Sequence, residues 1–250
     1  MRWVGTLFLV IVLLVPAARA DRIHQAFTTG RFLEAAELAQ EAGGADNLAV
    51  AARSLLADAV INGEPMHERL NRAESMARAA LQLDPDHVEG RLQLAIAVSL
   101  KARLMSTGAA MNSGYGGLSR DLAESVIEDD PENFYAHGFM AVWNIEIVRR
   151  GGSFGSAFMG ASVRKGRRHY YEALETGTVD PSLHWQYARA LAALNARKYS
   201  DEIEAALQRA CVEQADDALS QLMQARARSF QSYLDSHSVR EVEQAAAMLL

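Results

Sequence analysis

The sequence predicts an all-α protein, a solenoid of stacked antiparallel helix hairpins carrying glycine-rich insertions. Three observations predict it. Segments between turns are dominated by Ala, Leu, Arg, Glu and Gln and lack the apolar/polar alternation and clustered β-branched residues of strands. Apolar side chains recur at helical spacing, as in Leu70, Ala73, Ala77, Ala80 and Leu81. Asp84-Pro85, Asp130-Pro131 and Asp180-Pro181 recur after 46 and then 50 residues. Proline is tolerated in a first helical turn and the acidic residue before it caps free N–H groups, so each pair closes one helix and opens another. A lone helix hairpin cannot bury both its faces, and repeated hairpins therefore stack.

Residues 1–20 carry the pattern of a cleaved export signal. Arg2 gives a positive start, Val4 to Val15 is an apolar run, and Ala18-Arg19-Ala20 fits an A-x-A cleavage site. The run is shorter than the roughly 20 residues that cross a bilayer, and it ends at Pro16 without a basic stop signal. The expectation is an exported, periplasmic protein whose mature part, 21–250, is a single helical domain. Loss of Arg2 and Arg19 changes the formal charge from −6 to −8, leaving 23 basic against 31 acidic side chains. That balance argues against nucleic acid as a partner. Cys211 is the only cysteine, so there is no intramolecular disulfide and no multi-cysteine metal site.

After the leader, helical stripes follow one another: Leu92, Ile96, Leu100 and Leu104; Ile203, Leu207, Ala210 and Cys211; then Leu219, Leu222, Met223, Phe230 and Leu234; then Val239, Val242, Ala246 and Leu249. The last helices, about 216–250, serve as caps of the stack or as a dimer contact. Two insertions interrupt the pattern. Ser106 to Ser119 holds Gly108, Gly114, Gly116 and Gly117 around Asn112 and Tyr115 and reads as a flexible connector. It lacks the Gly-Lys-Ser or Gly-Lys-Thr ending of a nucleotide-binding loop. In the second, Arg149-Arg150-Gly151-Gly152 closes the helix containing Trp143, and Ser153 to Val163 is an apolar, small-residue loop before Arg164-Lys165-Gly166-Arg167-Arg168 opens the next helix. Exposing Phe154, Phe158 and Met159 is costly, so this loop folds back over the helices or meets a partner.

At these residues the chain resembles the tetratricopeptide repeat (TPR) family. Gly30-Arg31-Phe32-Leu33-Glu34-Ala35-Ala36 looks like that family's turn into its second helix, and Ala79-Ala80-Leu81-Gln82-Leu83-Asp84-Pro85 like the end of a repeat. Leu94-Ala95 and Met140-Ala141 sit where the next repeat's first helix carries its large-small pair. The intervals of 46 and 50 residues exceed the usual repeat of about 34 residues. The resemblance implies a non-enzymatic scaffold that recognises a protein or peptide on a concave surface. The combination of export signal, helical repeats and glycine-rich insertion also resembles the T-component of tripartite ATP-independent periplasmic (TRAP) transporters, which implies a small-molecule or lipid-binding accessory of a transport system. The lipid-attachment cysteine after the leader is missing from this chain.

Candidate partner contacts are Tyr115, Tyr135, His137, Trp143, Asn144, Arg149, His184 and Tyr187, because aromatics and arginine make efficient binding contacts. Arg149, Arg150, Arg164, Lys165, Arg167 and Arg168 either form a positive patch for a carboxylate-bearing peptide, an anionic ligand or a lipid headgroup, or are a solvated face and a helix-end complement. No Gly-x-Ser-x-Gly elbow is present, and no cofactor motif. Cys211 on an apolar stripe reads as inert core. The seven histidines show neither His-x-x-x-His nor His-Glu-x-x-His spacing, so no metal pair is readable, and a metal site assembled from distant turns stays open.

Overall fold

A computed structural model describes residues 18–249. The leader read at 1–20 therefore lies outside the described residues except for 18–20, which are helical and belong to α1, described over 18–28. Among the described residues the protein is all-α, with thirteen helices and no strand. No described helix is long and apolar enough to cross a membrane. The chain forms two compact units that divide after Gln93, within α5 (Val88–Leu104).

In the first unit α1 is followed by α2 (Phe32–Ala42), α3 (Ala45–Asn62) and α4 (Met66–Leu83). The turn between α1 and α2 uses Gly30 at φ 81°, a conformation L side chains rarely adopt, and Phe27 and Phe32 meet edge to face across it at 5.2 Å. α3 packs on both α2 and α4. Small buried faces, with Ala35, Ala36 and Ala39 on α2 and Ala73, Ala77 and Ala80 on α4, let the helices approach closely. Asp58 is a buried charge on α3, held by the Asn62 amide at 2.6 Å and paired with Arg69 of α4.

The Asp-Pro segments lie between helices, as their sequence predicts, and the first two share one hydrogen-bond pattern. Asp84 Oδ1 accepts from the Asp86 N–H at 3.1 Å, and Asp130 Oδ1 from the Glu132 N–H at 3.3 Å. Three residues after each Asp, His87 and Asn133 cap the next helix, accepting from the N–H groups of Gly90 and Ala136 at 2.9 and 3.0 Å. The cap is thus not the aspartate, as expected from sequence, because the proline and the residue after it fill a turn before the helix starts. At the third segment the expectation holds: Asp180 Oδ1 accepts from the Ser182 N–H at 2.8 Å, and Pro181 stands in the first turn of α10.

The second unit continues from α5 through α6 (Thr107–Ser113), α7 (Tyr115–Asp129), α8 (Phe134–Met159), α9 (Val163–Glu175), α10 (Pro181–Asn195), α11 (Ser200–Val212), α12 (Ala218–Ser236) and α13 (Val239–Met248). α8 packs on α7, α9 and α10, and α10 in turn touches α11, α12 and α13. α10 is the axis of this unit, with Trp185, Tyr187, Arg189 and Leu191 fully or almost fully buried. The C-terminal helices fold back on it. Met223 and Phe230 of α12 and Val242 and Ala246 of α13 are buried as their stripes predict, and Phe230 meets Trp185 edge to face at 5.5 Å. Cys211 is an exception to its stripe: Ile203, Leu207 and Ala210 fill the α11 contact, and the thiol at the edge is half-buried, with burial pushing its pKa up.

Both insertions are more helical than their glycines suggest. Ser106 to Ser119 is no flexible connector: Ser106 caps α6 and accepts from the Ala109 N–H at 3.3 Å, Gly114 turns left-handed at φ 72°, and Gly116 and Gly117 sit in the first turn of α7. The second insertion breaks the helix at Gly152, with φ 56° and ψ −154°, and residues 153–159 then resume as a helical turn. Met159 folds back against Ala123, Met140 and Trp143. Phe154 and Phe158 do not; each is 77% exposed.

α13 buries only Val242 and Ala246, so its start depends on local bonding. Ser238 accepts from the Glu241 N–H and Glu241 accepts back from the Ser238 N–H at 2.9 Å, a reciprocal capping box. Replacing Ser238 with Ala should cost about 1 kcal/mol, read as a lower unfolding midpoint in urea with unchanged slope.

Candidate functional site

The residues chosen from sequence separate into two groups. His137, Trp143, Asn144, His184 and Tyr187 are buried and unavailable to a partner in this conformation. Their chemistry is spent inside: the Trp143 Nε1–H donates to the Gly116 carbonyl at 3.2 Å, and Asn144 Nδ2 donates to the Met140 carbonyl while its oxygen accepts from the Ser162 N–H. Tyr187 stacks on Tyr170 with centroids 3.9 Å apart and gives its hydroxyl hydrogen to Glu202 at 3.1 Å. Tyr115 is half-buried beneath the Lys101 ammonium, and Tyr135 is exposed.

The positive patch is dismantled by pairing. Arg149 bonds Glu146, Arg150 donates to the Ala102 and Met105 carbonyls at 2.8 Å, Lys165 reaches the Gly160 carbonyl at 2.7 Å, Arg167 pairs with Glu202, and Arg168 lies 3.4 Å from Glu172. The Arg167 hydrogen bond holds the Glu202 carboxyl below the usual range. Arg164 remains exposed. The helix-end reading of Arg149 and Arg150 is closer to what forms, although the carbonyls Arg150 satisfies belong to α5 and the turn after it.

α8 and α9 approach closely because Gly166 has no side chain; a Cβ there would lie 2.8 Å from the Ala141 carbonyl oxygen. One turn along on each helix, this contact brings His137 and His169 together. Their Nδ1 atoms are 3.0 Å apart, and Glu172 Oε2 lies 3.3 Å from the first and 3.2 Å from the second. His137 Nε2 faces the Pro131 carbonyl at 2.9 Å, an oxygen that can only accept, so in neutral His137 that nitrogen holds the proton and Nδ1 holds a lone pair. Burial, outweighing the nearby Glu172 carboxylate, pushes His169 down to about 4, which makes it neutral near pH 7. Sequence reasoning missed His169 and Glu172. Their i, i+3 spacing on one helix was the available signal, but His137 joins them from 32 residues away with no pattern to announce it.

His169 also forms part of the wall of a cavity of about 220 Å³, with Arg120, Trp143, Met159 and Lys165. Deeper in the unit, Tyr170 donates to His184 Nδ1 at 2.6 Å and His184 Nε2 donates to Glu213 at 2.7 Å. This chain has the order of a relay, yet burial drives the Tyr170 hydroxyl up to about 12 and His184 down, which opposes formation of a nucleophile. It ties α9, α10 and α11 together.

No family model matches the chain, and no curated protein gives a significant match.

Proposed function

We propose that the protein is a TPR-like, non-catalytic binding scaffold, exported to the periplasm, and that it engages a protein partner through the end of α8. Support for the repeat architecture comes from the shared hydrogen-bond pattern of the Asp84 and Asp130 turns and from the side-by-side packing of α8 and α10, each the first helix of a hairpin. The observation that carries the binding surface is the pair Phe154 and Phe158, four residues apart on one helical turn and 77% exposed. Two adjacent phenylalanines in water forfeit several kcal/mol of burial, about 2 kcal/mol each. An i, i+4 aromatic pair fits an apolar groove on a partner protein.

A transport-accessory role, with a small anionic ligand in the cavity, is the weaker reading. The cavity is smaller than the roughly 300–1,000 Å³ of ordinary ligand pockets. Its cations Arg120, Lys165 and Arg168 already have partners within the chain.

The test places a photoreactive phenylalanine analogue at Phe154, with Val212, 82% exposed, as the control position. A discrete crosslink to another protein from position 154 and none from 212 is the expected result. Replacing Phe154 and Phe158 with Ser should weaken that complex at least about 10-fold, a modest hot-spot loss, without lowering thermal stability. Crosslinks to lipid or to a second copy of the chain, or equal crosslinking from both positions, overturn the reading.

A further inference from the structure

The geometry points to a divalent transition-metal site, of the kind that takes Zn²⁺, formed by His137 Nδ1, His169 Nδ1 and Glu172 Oε2. The three atoms form a triangle with sides of 3.0, 3.3 and 3.2 Å. A tetrahedral zinc ion with bonds of about 2.0–2.1 Å sets its ligand atoms about 3.3 Å apart, so the triangle already has the spacing of one ligand face. The set His, His and Glu suits zinc, and three protein ligands leave a fourth position for water or a ligand group.

Without an ion, three acceptor atoms converge on one another. With both imidazoles neutral and His137 Nε2–H spent on the Pro131 carbonyl, one proton, on His169 Nδ1, is shared among three lone-pair-bearing atoms. If it points to His137, the Glu172 oxygen faces two atoms with nothing to donate; if it points to Glu172, the two imidazole nitrogens face each other as lone pairs. One cation bonds all three. The supporting contacts are those of a metal centre. The Pro131 carbonyl fixes the His137 tautomer, Arg168 at 3.4 Å from Glu172 Oε1 leaves Oε2 turned toward the histidines, and the α8–α9 contact at Gly166 holds the two helices in register.

Two of the three donors are imidazole nitrogens, which disfavours Ca²⁺ or Mg²⁺, cations that depend on several oxygen ligands. The site does not depend on the partner-binding reading, and its failure leaves the Phe154 crosslink unaffected.

The experiment titrates the chelator-stripped full chain with Zn²⁺ in competition with a chromophoric chelator, and with Co²⁺ followed by visible absorption. The expected result is one equivalent bound, a four-coordinate Co²⁺ spectrum, and a higher unfolding temperature with metal. His169→Gln and Glu172→Gln should each weaken binding by at least roughly 100-fold, beyond the loss usual for an outer-shell partner, and abolish the Co²⁺ bands. His87→Gln, which alters a histidine paired with Asp46 elsewhere, should change neither. Circular dichroism checks that the variants fold; Glu172, 37% exposed, carries the test if His169→Gln does not. Zn²⁺ affinity of the wild type no greater than that of Glu172→Gln, whether strong or negligible, overturns the site.

Discussion

Replacing Arg189 with Met should cost about 3–5 kcal/mol of folding stability, the usual result of removing one partner of a buried ion pair. Arg189 is fully buried on α10, and its guanidinium lies 2.9 Å from Glu146 Oε1 on α8. Arg149 holds the other carboxylate oxygen at 2.7 Å. The same guanidinium donates to the Ala246 carbonyl at 3.2 Å, and Arg103 donates to the Leu249 carbonyl at 2.6 Å, so the cluster fastens the C-terminal end of the chain to α5 and α10. Burial alone would raise the Glu146 pKa, but Arg189, Arg103 and Arg149 outweigh it and hold the carboxyl at about 2. Methionine in place of Arg189 leaves a buried carboxylate with weaker compensation and removes the bond to the Ala246 carbonyl of α13.

That depression gives the cluster a pH signature. The folded pKa of about 2 lies below the ordinary 4.5, so Glu146 contributes its full stabilisation above pH 4.5 and loses it as pH falls through 2. The shift corresponds to about 3 kcal/mol. Urea unfolding of wild type and Glu146→Gln at stepped pH should show the gap between them largest near neutrality and closing toward pH 2. A gap independent of pH would mean that the cluster acts by packing and not by charge. In a double-mutant cycle, Glu146→Leu with Arg189→Met should lose less than the sum of the single changes, since neither then strands its partner.

What the sequence disclosed follows from how local each feature is. Asp84-Pro85, Asp130-Pro131 and Asp180-Pro181 marked helix boundaries because proline and its neighbours act within one turn, and Gly152 marked a break because φ 56° excludes other residues. Trp143, His184 and Tyr187 were misplaced on a binding face for a reason that is also physical. Large side chains with one polar atom make good contacts for a partner and equally good core where that atom finds a bond, as Trp143 does on Gly116 and His184 on Tyr170 and Glu213. Spacing along one helix does not separate the two cases. Nothing local marks Arg189 and Glu146 as buried, because each offsets its burial through a partner 43 residues away along the chain. The meeting of His137 with His169 and Glu172 was illegible for the same reason, and the glycine that permits it looked like one more small residue in a basic stretch.

Gly166 supplies the second large effect. By helix propensity alone, Gly166→Ala in the interior of α9 should stabilise by about 1 kcal/mol. The added methyl, however, would sit 2.8 Å from the Ala141 carbonyl oxygen, 3.2 Å from Ile145 Cγ1 and 3.3 Å from Asn144 Cβ. The nearest of these is backbone, which cannot rotate aside, so α8 and α9 must separate. Overpacking of this kind costs about 1–3 kcal/mol, and the sign of the measured change decides between the two effects. We expect net destabilisation, seen as a lower urea midpoint, with Gly166→Ser worse than Ala. Because Gly166 lies one turn from His169 and Ala141 one turn from His137, the separation also pulls the two Nδ1 atoms beyond their 3.0 Å contact. The histidine ring resonances of Gly166→Ala should therefore move together in NMR spectra while those of His24 and His237 stay fixed. Unchanged stability with unmoved His137 and His169 resonances would show that the helices absorb the methyl without shifting, and that Gly166 does not set their distance.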